Sequence, residues 1–173
     1  LIIGAAADYF FNTKATSAIS ALAIGAVPID RTKVSRQSGD MISELIEKGW
    51  SLLIYPEGGR SPDGWGQPFR GGAAYLAIRC EVPVITIHVT GTGKSVRKGR
   101  NLPRRSKSTV TFGYPMKPEN DESARSFSAR IEKEVRSLAD ETASTWWDAR
   151  QRSYENSSPS LTGPEIGAWR RSW

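Results

Sequence analysis

Tyr55-Pro56-Glu57-Gly58-Gly59-Arg60-Ser61-Pro62-Asp63-Gly64 follows directly on the apolar run Trp50 to Tyr55. The apolar run reads as a strand, and it delivers the chain into a loop rich in glycine and proline, Pro56 to Gly72. In open α/β sheets, ligands gather beyond the carboxyl ends of strands. Glu57 and Arg60 stand three apart with Gly58 and Gly59 between them. The glycines let the backbone approach a ligand and permit positive φ. Arg60 offers a planar fork of donors that matches phosphate bidentately. Glu57 can hold that arginine or accept from a substrate hydroxyl. The same pair can also be an ion pair that pins a turn and nothing more.

Outward from this loop, strand-like and helix-like segments alternate. Upstream lie a short apolar run, Leu1 to Ala6, and Tyr9-Phe10-Phe11. A small-residue helix from about Ala15 to Ala23 closes at Gly25, and a short strand follows from Val27 to Ile29. Ser38 or Asp40 is placed to cap the next helix, whose Met41, Ile42, Leu45 and Ile46 fall at helical spacing before Gly49. Downstream, Ala73 to Cys80 reads as a short helix, and Val82 to Val89 as a β-branched buried strand. Another strand is expected over Thr109 to Phe112. A long helix from about Glu122 to Trp147 carries Phe127, Ile131, Val135, Leu138 and Trp146 near one face. This alternation implies an α/β fold, a partly parallel β-sheet flanked by helices. One domain is expected over residues 1–150, with 151–173 as a loosely ordered tail or linker.

Composition narrows the function. Of 173 residues 38% are hydrophobic, enough for a packed core, yet no run is long and apolar enough to span a bilayer. The single cysteine, Cys80, forms no internal disulfide and fits a reducing compartment. The formal net charge of +6 is local in origin, since Lys94, Arg97, Lys98, Arg100, Arg104, Arg105 and Lys107 lie together with no acid between them. Such a cluster suits nucleic acid, anionic lipid or phosphorylated substrates, or is a solvated loop. Nucleic acid is the weaker reading, because no aromatic residues are interleaved for base stacking. The chain opens on Leu1 with no charged leader, and is read as a fragment.

Three blocks in order carry a family resemblance: Val27-Pro28-Ile29-Asp30-Arg31, Tyr55 to Ser61, and Phe69-Arg70-Gly71-Gly72 with the small-residue helix and Val82-Pro83-Val84 behind it. Together they resemble the PlsC-like glycerophospholipid acyltransferases, the 1-acylglycerol-3-phosphate acyltransferase family, from about Leu1 to Pro118. The resemblance implies a glycerol-3-phosphate acyltransferase-like α/β fold, incomplete at the N-terminus. It implies transfer of a fatty acyl group from acyl-CoA or acyl carrier protein to a lysophosphatidate or glycerophosphate hydroxyl. It also implies that Arg31, Glu57, Gly58, Gly59 and Arg60 bind the acceptor phosphate, supported by Ser61, Phe69, Arg70 and Gly72. No metal or other cofactor is implied. The family's general base is the histidine of an H-x-x-x-x-D motif, which this sequence lacks. Gly59 stands where threonine is usual, and Thr86 where a second proline is frequent.

The expectation is therefore an acyltransferase fragment, inactive by itself, that keeps the acceptor site. The alternative is a non-catalytic module of the same fold that holds phospholipid or an acyl carrier. His88, the only histidine, lies inside a strand and is read as structural rather than as a substitute base. Cys80 reads as packing. Trp146, Trp147, Trp169 and Trp173 can anchor at a bilayer interface or dock on the protein itself. Peripheral association with the anionic cytoplasmic face of a membrane is expected. Arg31 and Arg60, each following a strand, are expected to meet at the carboxyl edge of one sheet.

Overall fold

The computed structural model describes residues 1–6, 13, 17–18, 21–22, 25–29, 36–59, 65–92 and 105–162. Three parallel strands form the first sheet: β1 (Ile2–Ala6), β2 (Ala26–Ile29) and β3 (Leu52–Leu53), in the order β2-β1-β3. Ile3 pairs with Ala26 on one side and with Leu53 on the other, so the apolar N-terminal run is the central strand. A central strand of a parallel sheet sends its side chains into layers on both faces, which is why this run reads as continuously apolar. Because β2 and β3 both run parallel to β1, their carboxyl ends lie at one edge of the sheet. They are separated by β1 rather than adjacent.

Helix α1 (Arg36–Glu47) crosses between β2 and β3. It begins two residues before the expected cap at Ser38. Asp40 is instead a surface partner of Arg79 at 2.5 Å. Ile42 is buried with Ile2, Val27 and Leu76, and Leu45 and Ile46 pack against that cluster, while Met41 stays exposed. Gly49 ends the helix at φ +84, where its N–H donates to the Ile46 carbonyl and the Trp50 N–H to that of Leu45. This is the Schellman arrangement, and it requires the left-handed backbone that glycine supplies.

Helix α2 (Gly72–Arg79) lies between two cores. Leu76 joins the first. Ala74 and Ala77 pack against Phe127 and Ile131 of the long helix α3 (Ala124–Ala143) in the second. The fully enclosed Ala74 and Ala77 are the positions where α2 lies closest to α3, and there small residues are needed. The second sheet is an antiparallel pair, β4 (Val84–Thr90) and β5 (Thr109–Met116). Its register shifts between Ile85 and Ile87, so Thr86 faces both Gly113 and Tyr114 in a β-bulge. β5 is thus longer than the sequence suggested, because the bulge absorbs Gly113 and Pro115 pairs with Ile85 inside the strand.

Phe127, Ile131, Val135 and Leu138 are buried along α3, as their spacing predicts. Trp146 is not part of that stripe. The helix stops at Ser144, and Thr145 caps a separate helix, α4 (Trp146–Tyr154), by accepting from the Asp148 N–H at 3.2 Å. Arg150 donates to both Glu134 oxygens at 2.9 Å, and Arg152 clamps the buried Asp140 through two bonds of 2.7 and 2.8 Å. The hydrogen bonds from Arg152 hold the Asp140 carboxyl below its ordinary range. The boundary expected at residue 150 falls inside α4.

Candidate functional site

β3 releases the chain into the glycine-rich loop at the carboxyl edge of the parallel sheet, where α/β folds place ligands. The Gly58 N–H donates to the Tyr55 carbonyl at 3.1 Å, closing a tight turn around Pro56 and Glu57. Gly58 has φ +71, and a Cβ there would lie 2.9 Å from Arg70 Nε and 3.1 Å from its Cδ. Glycine therefore serves two purposes at this position. It permits the backbone conformation, and it lets the Arg70 side chain lie against the turn.

The far limb of the loop returns to the same turn. The Arg70 N–H donates to the Pro56 carbonyl at 2.9 Å. The Glu57 carboxylate, half-buried, accepts from the Gln67 backbone N–H at 2.7 Å. Glu57 is thus oriented by an uncharged backbone donor. Gln67 carried no signal in the sequence, since any residue but proline can supply that N–H. Phe69 and Gly71 line one wall of an open groove of about 330 Å³, with Arg125, Ser128, Ala129 and Glu132 of α3 opposite. Gly72 opens α2 directly behind Arg70.

Of the residues expected to bind phosphate, Glu57, Gly58 and Gly59 are in this loop, with Phe69, Arg70 and Gly72 on its return limb. Arg31, Arg60 and Ser61 lie outside the described residues. β2 ends two residues before Arg31, at the edge where β3 also ends. His88 sits in β4 opposite Thr111, its Nδ1 buried without a hydrogen-bond partner among the described residues. Burial lowers its pKa. Cys80 is half-buried at the end of α2, with Sγ 3.4 Å from Ser43 Oγ. Among the described residues no three His, Cys, Asp or Glu side chains gather as metal ligands. No helix among them is long and apolar enough to cross a membrane.

The region that builds the parallel sheet, the turn, α2 and β4 coincides with a family match: a model described as Acyltransferase covers residues 2–90, about half of the chain. The chain belongs to the acyltransferase family. It is 40% identical over 79 residues to a chloroplastic 1-acyl-sn-glycerol-3-phosphate acyltransferase of Brassica napus, an overlap of 44% of this chain and 23% of that protein. It is 32% identical over 97 residues to the 1-acyl-sn-glycerol-3-phosphate acyltransferase of Limnanthes alba, covering 54% of this chain and 34% of the relative. Curated relatives are thus matched over about a quarter to a third of their length. Among solved structures, the 1-acyl-sn-glycerophosphate (LPA) acyltransferase PlsC from Thermotoga maritima superposes with a TM-score of 0.66. That match covers 84% of this chain and 58% of the other at 21% identity, a likeness of fold.

Proposed function

We propose that this acyltransferase-family chain forms the acceptor site of a 1-acylglycerol-3-phosphate O-acyltransferase of phospholipid biosynthesis. The observation that carries the reading is the folded loop. Glu57 is pinned by the Gln67 N–H, and Arg70 lies on Gly58, all at the carboxyl edge of the parallel sheet. In the proposed reaction a lysophosphatidate-type acceptor presents its hydroxyl to the thioester of acyl-CoA or acyl carrier protein. The hydroxyl oxygen attacks the carbonyl carbon, the C–S bond breaks, and the thiol leaves. Arg31 and Arg60 hold the acceptor phosphate, with Arg70 adding positive charge beside the Gly58–Gly59 backbone. Glu57 keeps the guanidinium groups from repelling one another. The hydroxyl proton goes to a general base, which in the family is the histidine of H-x-x-x-x-D. His88 is not that base, because the fifth residue after it is Gly93 and its ring nitrogen is buried.

Purified chain with acyl-CoA and lysophosphatidate is expected to show no turnover, because general acid–base groups contribute roughly 10²–10⁴-fold. Robust turnover that His88→Ala abolishes would overturn this assignment. In an active acyltransferase carrying these residues, Arg60→Lys keeps the charge and loses the bidentate fork. It is expected to raise KM for the phosphorylated acceptor well above any change for the donor. An unchanged acceptor KM counts against the site.

The chain is also proposed to dock peripherally on the anionic cytoplasmic face of a membrane. Ile85, Val89, Val110, Phe112 and Tyr114 expose an apolar face on the β4–β5 hairpin. From Val82 to Pro118 there is no acidic residue, while Arg105, Lys107 and Lys117 are exposed. Apolar surface joined to unopposed positive charge matches an anionic bilayer.

A further inference from the structure

The loop that holds Glu57 is tied down by a part of the chain far from the family-matched region. The Gly66 N–H donates to the Leu161 carbonyl at 2.8 Å. A Cβ on Gly66 would lie 3.1 Å from Leu161 Cβ and 3.3 Å from its carbonyl oxygen, so the two segments are closely packed and a side chain at 66 would require Leu161 to give way. The next amide, that of Gln67, is the one that donates to Glu57. Two consecutive backbone donors therefore link residue 161 to the Glu57 carboxylate.

The segment that reaches Gly66 is itself anchored. α4 ends in a turn with Asn156 at φ +57, where the Asn156 N–H donates to the Ser153 carbonyl and the Ser157 N–H to that of Arg152. Lys133 Nζ of α3 donates to Asn156 Oδ1 at 2.6 Å. Arg152 in turn grips Asp140, buried in α3. At the far end the Thr162 N–H donates to Ser160 Oγ at 3.2 Å, which turns the chain around Leu161.

We propose that residues 155–162 are a strap that positions the Glu57 loop and thereby raises its affinity for the acceptor phosphate. The strap transmits the rigidity of α3 to a stretch of glycine and proline that would otherwise be ordered anew at each binding event. Preordering a binding loop improves affinity by removing that cost. The part concerning affinity rests on the reading of the loop as an anion site. The positioning itself does not.

Two variants test it, Gly66→Val and truncation after Asn156, with glycerol 3-phosphate as the probe. Both are expected to lose amide-exchange protection at Gly66 and Gln67, while protection along α3 is kept. Kd for glycerol 3-phosphate is expected to rise about tenfold in each. Should the truncated chain fail to fold, the Gly66→Val exchange data decide. An intact chain that does not bind glycerol 3-phosphate overturns the anion reading and the affinity gain, and the exchange data then decide the positioning alone. Unchanged protection at Gly66 and Gln67 in both variants overturns the strap.

Discussion

Thr86 stands in β4 where the family often has a second proline. It is 3% exposed, and its hydroxyl finds no partner among the described residues. A buried hydroxyl without a hydrogen bond costs stability, whereas an apolar group of the same shape does not. Thr86→Val is therefore expected to be neutral or to stabilise by about 1 kcal/mol, read from denaturant midpoints. Opposite it, a Cβ on Gly113 would lie 2.2 Å from Thr86 Oγ1 and 3.3 Å from Leu138 Cδ1. Gly113→Ala is expected to cost about 1–3 kcal/mol by overpacking, and the loss should shrink in a Thr86→Ala background. His88 gives a pH signature. Its folded pKa is lowered by desolvation, so the unfolded chain binds the proton more readily. Stability from this group is fully present above the ordinary histidine pKa of about 6.5 and is lost as pH falls through the lower folded value. Tm measured against pH should show this step in the native chain and lose it in His88→Gln.

At the scale of elements, α3 was the most legible part of the chain. Phe127, Ile131, Val135 and Leu138 repeat at helical spacing, and all four are buried. Phe127 of α3 is fully buried in the core it shares with Ala74 and Ala77 of α2, and Phe127→Ala is expected to cost about 3–5 kcal/mol in equilibrium unfolding. The end of α3 was not legible. Thr145 and Asp148 form a cap, but periodicity carries on through Trp146 and hides it. The structure decides because α4 must fold back for Arg152 to reach Asp140 and Arg150 to reach Glu134. β5 was cut short for a similar reason, since Gly113 and Pro115 read locally as turn residues, but Gly113 lies in the bulge opposite Thr86 and Pro115 pairs with Ile85.

For the molecule as a whole, two cores share α2, and the exposed face of the β4–β5 hairpin belongs to neither. Phe112 is 65% and Tyr114 75% exposed on that face. Sedimentation with vesicles should recover the chain with anionic lipid and not with neutral lipid, and added salt should release it. The double variant Phe112→Ser, Tyr114→Ser should weaken this binding, while each basic residue near the surface contributes about 1 kcal/mol. Equal recovery with both lipids would remove the electrostatic part of the proposal.

The sequence alone determined the α/β class, the order of the described strands and helices from β1 to α3, the family resemblance and the loop from Pro56 to Gly72 as the place to look; the expected helix from Ala15 to Ala23 falls mostly outside the described residues. These rest on local properties: period-2 and period-3.6 patterning, turn residues, and short motifs read in order. Only the tertiary structure placed β1 between β2 and β3, and set Arg70 against Gly58. It alone gave Glu57 to the Gln67 N–H and brought Leu161 back to Gly66. The Gly66 and Gln67 donors are backbone N–H groups that every residue except proline carries alike, so no side-chain pattern announces these contacts. They arise when distant segments are packed on a common core.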